Sequence, residues 1–278
     1  MNVAMAPASL RDPASGARAG ALVVVLVVLW PLLALAEFKP WLLFDSGNLQ
    51  VMANFLAGFL PPSTAPDFLA LLWKATLETL AIATAGIALA FVVAVPLAVV
   101  ATRALAVARI GPGPGRGVGA AIRTATRAVL TVLRAIPEVV WALIFVRALG
   151  LGPGAGVLAL AVTYGGMLGK VYTEIIESGD TRSARALLEA GSGRLGALFY
   201  ALVPSTAQEL ASYTVYRWEC AVRASVVMGF VGAGGLGQLM DQSMKMLNGG
   251  EASTILFTFL ALVIVADAMS VVIRRVLS

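Results

Sequence analysis

The stretch Asp180–Pro204, DTRSARALLEAGSGRLGALFYALVP, decides how the chain is read. It is polar and helix-prone, and it separates two strongly apolar segments. Ala, Leu, Glu and Arg dominate up to Ala190, and all four favour helix. Gly191 then stops that helix as a C-cap glycine does. Pro204 follows thirteen residues later and can open a new helix, because the N–H it lacks would be unpaired there anyway. The stretch therefore predicts a short surface helix, a glycine turn and a re-entry into a membrane. An ordinary amphipathic connector shares part of this pattern, so the rest of the chain decides between the two.

Composition supplies the membrane. The chain has 278 residues, of which 59% are hydrophobic and 13% charged, and its mean hydropathy is +0.90. A soluble domain is about half apolar and about a quarter charged. This is an all-α, polytopic membrane protein. Its single Cys220 excludes a disulfide framework and a cysteine-based metal cluster, and the absence of His removes the commonest metal ligand and acid–base group. No metal site and no cofactor is expected in the chain. The net charge of +5 does not point to nucleic acid, because the basic residues lie where topology needs them.

Working outward, Ala21–Ala36 is just long enough to span a bilayer when its flanks are counted. Ala34-Leu35-Ala36 resembles a leader-cleavage site, but the segment is read as an uncleaved first helix. Glu37–Trp73 reads as an external loop rich in Pro, Trp and Asp. Lys74–Arg103 is the second span. Arg103–Arg134 carries six arginines and no acidic residue around the breaker run Gly111–Gly117, so it is cytoplasmic by the positive-inside rule. Arg116, Arg123, Arg127 and Arg134 recur at spacings that put them on one helical face, which suits an interfacial helix meeting anionic lipid. The third span is read over Val129–Leu149, the fourth over Ala155–Ile176, the fifth over Ser205–Val231 and the sixth over Ser253–Val272. Six spans leave both termini, the arginine segment and Asp180–Pro204 on the cytoplasmic side. Residues 1–73 form an N-terminal segment and 74–278 a core, with the polar loop at 180–204.

The fifth span carries Glu209, Arg217, Glu219 and Arg223 within an apolar setting. Ionisable groups deep in a bilayer cost about 3 kcal/mol each or more unless they are paired or face water. Glu219 and Arg223 stand at i, i+4 in the favoured order and can pair. Arg217 has Tyr213 and Ala221 at its own i±4 positions, so it needs a carboxylate elsewhere, Glu138 or Glu174, or faces a pathway. Either these are ion pairs holding the bundle, or Arg217 or Arg223 lines an anion route. Val231–Gly237, VGAGGLG, follows with Gly232, Gly234 and Gly235, where positive φ and exposed N–H groups suit an oxyanion. It is no dinucleotide fingerprint, since no strand precedes it. Gly165–Val171, GGMLGKV, is no phosphate-binding loop, because Tyr164 and Val171 occupy two of the required positions. Any ATP-driven activity must come from a partner.

Together with the loop, Arg134–Pro153, Tyr164–Glu177, Ser212–Ser225 and Gly229–Gly237 resemble the permease subunit of phosphonate and phosphite ABC importers, over about Leu77–Arg275. The resemblance implies a type I importer permease fold and a non-catalytic subunit. It also implies two ATPase subunits that bind ATP and Mg, a second permease chain, identical or paralogous, and a periplasmic binding protein for a small phosphorus oxyanion. It assigns ATPase coupling to Arg182, Arg185, Ala186, Leu187, Glu189, Gly191, Arg194 and Pro204, and the pathway to Arg217, Glu219, Arg223, Gly232, Gly234 and Gly235. Of the family's Glu-Ala-Ala triplet this chain has Arg185-Ala186-Leu187, so the leading Glu is replaced and Glu189 stands as a displaced substitute. The competing readings are a methionine-type ABC permease, a secondary transporter, which usually shows inverted repeats not seen here, and a membrane enzyme, which lacks any usable acid–base or nucleophile set.

Overall fold

A computed structural model describes residues 15–104 and 116–277. Among the described residues every regular element is helical. Arg11, Arg109 and most of the Gly111–Gly117 breaker run lie outside the described residues. The chain divides into two units, 1–57 and 58–278.

In the first unit α1, Ser15–Leu35, is apolar all round beyond Arg18 and exposed over residues 16–35, the pattern of a helix whose solvent is lipid. A 3₁₀ turn, Pro40–Phe44, and α2, Ser46–Ala57, follow. The segment expected to be a loop is therefore partly helical. Leu49, Met52 and Leu56 recur at helical spacing and outweigh the Pro and Asp that suggested a loop. The Asn48 amide donates to the Leu42 carbonyl at 2.7 Å and ties α2 to the turn.

The second unit is built on α3, Pro66–Ala101, about 54 Å long at 1.5 Å per residue. Its buried face is a stripe of small residues, Ala83, Gly86, Ala90, Ala94 and Ala98, which lets the backbone of α6, Pro153–Ser178, approach closely. Between them in sequence come α4, Arg116–Ala135, and α5, Glu138–Leu149, bent by 84° at the Pro137 break. The expected single span Val129–Leu149 is thus two helices. Proline has no N–H to continue the ladder, and its own carbonyl accepts from Val140 to start α5.

α6, Pro153–Ser178, presents Gly166 and Gly169 to α4, so close that side chains there would meet Leu133 and Leu130. Arg127, expected among the lipid-facing arginines, is instead drawn inward: its guanidinium pairs with Glu177 of α6, and its Nε donates to the Ala101 carbonyl at 3.0 Å. The same Glu177 oxygen accepts the Arg103 N–H. One carboxylate ties the C-terminal ends of α3 and α6 to the middle of α4, and an orphan C-terminal carbonyl of α3 is satisfied. Both charged side chains are about one-fifth exposed, so Glu177→Ala should lower stability by about 1–2 kcal/mol. An unchanged thermal midpoint in detergent would show that the knot contributes nothing.

The remaining elements are α7, Arg182–Glu189, α8, Arg194–Ala197, a π-helical turn, Leu198–Leu202, α9, Val203–Gly229, α10, Gly235–Lys245, and α11, Gly249–Leu277. The main core joins α3, α5, α6 and α9 around Ile82, Leu160, Leu168, Val222 and Met228. Among the described residues four helices, α1, α3, α6 and α11, are long and apolar enough to cross a membrane, and the count is five if the bent pair α4–α5 is one span. α9 has spanning length, 27 residues, but its four charges make it less apolar. The sequence reading places its fifth span there.

Candidate functional site

Residues 180–204 fold as an amphipathic loop. Asp180 accepts the Arg182 N–H at 2.9 Å and starts α7. Ala184, Leu187 and Leu188 turn inward onto Ala104, Ile176, Leu198 and Leu202. Arg182, Arg185, Ala186 and Glu189 are exposed, and their i, i+3, i+4, i+7 spacing makes them one outward stripe. The helix then ends in a Schellman motif: the Ser192 N–H donates to the Leu187 carbonyl at 2.9 Å and the Gly191 N–H to Leu188 at 3.1 Å. Gly191 has φ +88°, the left-handed conformation the sequence requires of it.

Arg194 is exposed at the start of α8. Pro204 does not open a helix as expected. The chain is helical without interruption from Arg194 into α9, and the π-helical turn immediately precedes the proline. The Val203 N–H reaches back to Leu198, and this wider turn relieves the crowding that proline imposes on the carbonyl four residues earlier.

The second group lies on α9 and α11. Glu219 is buried, with its side chain 6% exposed, and it accepts from the Arg223 guanidinium at 2.8 Å, as the i, i+4 spacing predicted. Its other oxygen lies 3.9 Å from Arg274, near the end of α11. Arg217 takes neither of the carboxylates suggested for it. Its Nε donates to the Tyr213 hydroxyl at 2.7 Å, its guanidinium lies over the rings of Tyr213 and Tyr216, and Glu174 is paired with Lys170 instead. Tyr216 also carries Arg274, 6.0 Å from its ring centroid. Among the described residues the group holds three guanidiniums around one carboxylate. Arg274 is the member that sequence reasoning missed. It was read only as a topological charge at the end of the last span, and the contact that brings it to Glu219 is between helices far apart in sequence.

The glycine turn is the third group. Gly232, Gly234 and Gly235 all have positive φ, as expected. Much of its backbone is committed to structure, however. Gly232 N–H donates to Gly229, Ala233 N–H to Met228, and the Leu236 N–H to the Thr79 hydroxyl at 2.9 Å, while the Gly232 carbonyl accepts from Gly152. Glu78 stands where a Gly234 side chain would be. Gly235 lines a cavity of about 290 Å³ with Lys74, Glu78, Gly152, Gln238 and Gln242.

Comparison with known proteins agrees with this architecture. Residues 108–278 match the family described as binding-protein-dependent transport system inner membrane component. The chain is 37% identical over 199 residues to the phosphite transport system permease protein PtxC of Stutzerimonas stutzeri, covering 72% of this chain and 68% of that one. It is 33% identical over 246 residues to the same organism's putative phosphite transport system permease protein HtxC, covering 88% and 83%. It is 35% identical over 241 residues to the phosphate-import permease protein PhnE of Mycolicibacterium smegmatis, covering 87% of this chain but only 42% of that protein's length. Among solved structures, an inward-facing MetNI methionine ABC transporter chain aligns with a TM-score of 0.65 at 24% identity, over 77% of this chain and 100% of that one. An amino acid ABC transporter chain aligns at 0.59 and 15% identity, over 75% and 95%. These two likenesses show the fold, that of a type I ABC importer permease. A helical, multi-pass core with a capped amphipathic loop between α6 and α9, and a family match over residues 108–278, make one statement: the chain belongs to the family of binding-protein-dependent transport system inner membrane components.

Proposed function

We propose that the chain is the non-catalytic permease of an ATP-driven importer that moves a small phosphorus oxyanion across the bacterial cytoplasmic membrane by alternating access. The observation that carries this reading is the shape of α7: a Schellman-capped helix with an apolar face seated on the bundle and an exposed stripe of Arg182, Arg185, Ala186 and Glu189 left for another protein. That partner is an ATPase, present in two copies, which binds the ATP and Mg that this chain has no motif to hold. A second permease chain, identical or paralogous, completes the pathway, and a periplasmic protein delivers the anion. Both termini, α7 and the arginine-rich segment lie in the cytoplasm. The phosphite and phosphate named for the relatives and the surplus of arginine on α9 and α11 support a phosphorus oxyanion over the methionine-type alternative.

The test is ATP hydrolysis by the assembled complex in lipid, with and without loaded binding protein. Gly191→Pro removes the N–H bonded to Leu188 and forces φ from +88° to about −65°, so α7 loses its cap. Stimulation by the binding protein should fall at least tenfold while the ATPase still co-purifies. Arg185→Glu, which reverses charge on the outward stripe, should weaken ATPase binding itself. Normal stimulation in both variants, or no co-purifying ATPase, would reject the importer reading.

A further inference from the structure

The arrangement of α9 and α11 points to an oxyanion site built from Arg217 and Arg274 on either side of their contact with Tyr216, with Arg223 serving Glu219 and not the substrate. This inference rests on the importer reading and names where in that permease the anion is held.

Three observations carry it. First, each of the two arginines is oriented by its own helix through Nε alone. Arg217 Nε donates to the Tyr213 hydroxyl at 2.7 Å and Arg274 Nε to the Ser270 carbonyl at 3.3 Å, each four residues back. That leaves the terminal amino groups of Arg217, and those of Arg274 shared only with Glu219 at 3.9 Å, as forks that match two oxygens of a phosphorus oxyanion. Secondly, both guanidiniums lie within about 6 Å of one ring, Tyr216, at 5.6 Å and 6.0 Å from its centroid. The ring holds two cations near one another without neutralising either, since a cation–π contact leaves the charge in place. Tyr216 is 40% exposed, so the place where the two arginines meet is open. Thirdly, the local charge does not balance. Glu219 is held at 2.8 Å by Arg223 and lies 3.9 Å from Arg274, and Arg217 has no carboxylate within ion-pair distance among the described residues. An unbalanced guanidinium within a span, as Arg217 is on α9, is costly against acyl chains; facing a water-filled route or a second permease chain across it avoids that cost, and in either case an anion is the missing charge.

The same geometry explains release. Glu219, 3.9 Å from Arg274, competes with the anion for that guanidinium, and a route that conducts needs a site weak enough to let go. Arg223 belongs to Glu219 by distance and by helical spacing, so the anion-route role considered for it passes to Arg274.

The experiment is import by the complete complex, with binding protein and ATPase, reconstituted in liposomes. Phosphite, inorganic phosphate and methylphosphonate are the probes, and the readout is anions imported per ATP hydrolysed. Arg217→Lys and Arg274→Lys keep the charge and the stem over Tyr216 but lose the fork, so each should assemble and yet import at least tenfold less per ATP. Arg217→Ala and Arg274→Ala should fall further. A ratio equal to wild type in both lysine variants overturns the site while leaving the importer standing. Failure of wild type to import any of the three anions overturns the importer reading beneath it. A fall in hydrolysis and import in step, with the ratio held, assigns the arginines to the scaffold and also overturns the site.

Discussion

Replacing Gly237 with alanine should abolish the folded permease. α9 and α10 cross there backbone against backbone. A Cβ on Gly229 would lie 2.6 Å from both the Gly234 carbonyl oxygen and the Gly237 Cα, and 2.7 Å from the Gln238 nitrogen. A Cβ on Gly237 would overlap the Val226 carbonyl outright. What it meets is main chain, not the end of a flexible side chain, so no rotamer change makes room. The helices must separate, and α10 then loses its seat: Leu236 is fully buried in a cluster with Phe68, Leu72, Val226 and Ile255, and its N–H bond to Thr79 fixes α3. Overpacking costs about 1–3 kcal/mol where a core can adjust, and loss of the seat adds to that, so a total of about 4 kcal/mol is expected, in the range that unfolds marginal proteins. Gly193→Ala is the control, because nothing lies within 4 Å of its Cβ. Size-exclusion yield and thermal midpoint in detergent read the difference. A Gly237→Ala protein that elutes and melts like Gly193→Ala would show that the crossing is not tight.

Much of this architecture was legible because its causes are local. A glycine that must be left-handed, a helix with apolar residues at 184, 187 and 188, and a Glu four residues before an Arg are all settled within one or two turns, and α7, Gly191 and the Glu219–Arg223 pair follow from them. The errors share the opposite cause. Pro204 signals a helix start only where the preceding turn is not itself helical, and the π-helical turn at Leu198–Leu202 absorbs the proline within a continuous run. Pro137 breaks the third span, and the turn of α4 before it, residues 130–134, packs on Gly166 and Gly169 of α6, a contact no stretch of either helix announces. Arg127 and Arg274 look like ordinary topological charges until the fold brings Glu177 and Glu219 to them. Position on a helix face can be read from spacing; the identity of a long-range partner cannot.

Glu219 is where that lesson has its largest consequence for stability within the spans. Its side chain is 6% exposed, and it is the one carboxylate within 4.0 Å of Arg223 and Arg274 among the described residues. Glu219→Ala leaves the Arg223 guanidinium without its partner and strips Arg274 of its nearest opposite charge. Breaking a buried pair from one side costs about 3–5 kcal/mol, because the orphaned charge stays behind. Arg223 is 42% exposed and can rehydrate, which places the expected loss at the low end, about 3 kcal/mol. If the cost is an orphaned charge, removing that charge should give part of it back. Glu219→Ala with Arg223→Ala should therefore be more stable than the sum of the single losses by about 1–2 kcal/mol, and Glu219→Gln, which keeps the shape and an acceptor, should fall between wild type and Glu219→Ala. Thermal midpoints of wild type, Glu219→Ala, Arg223→Ala and the double variant in one detergent complete the cycle, with Glu219→Gln measured beside them. Strict additivity would mean that the 2.8 Å pair carries no coupling, and the charge on α9 would then have to be balanced from outside this chain.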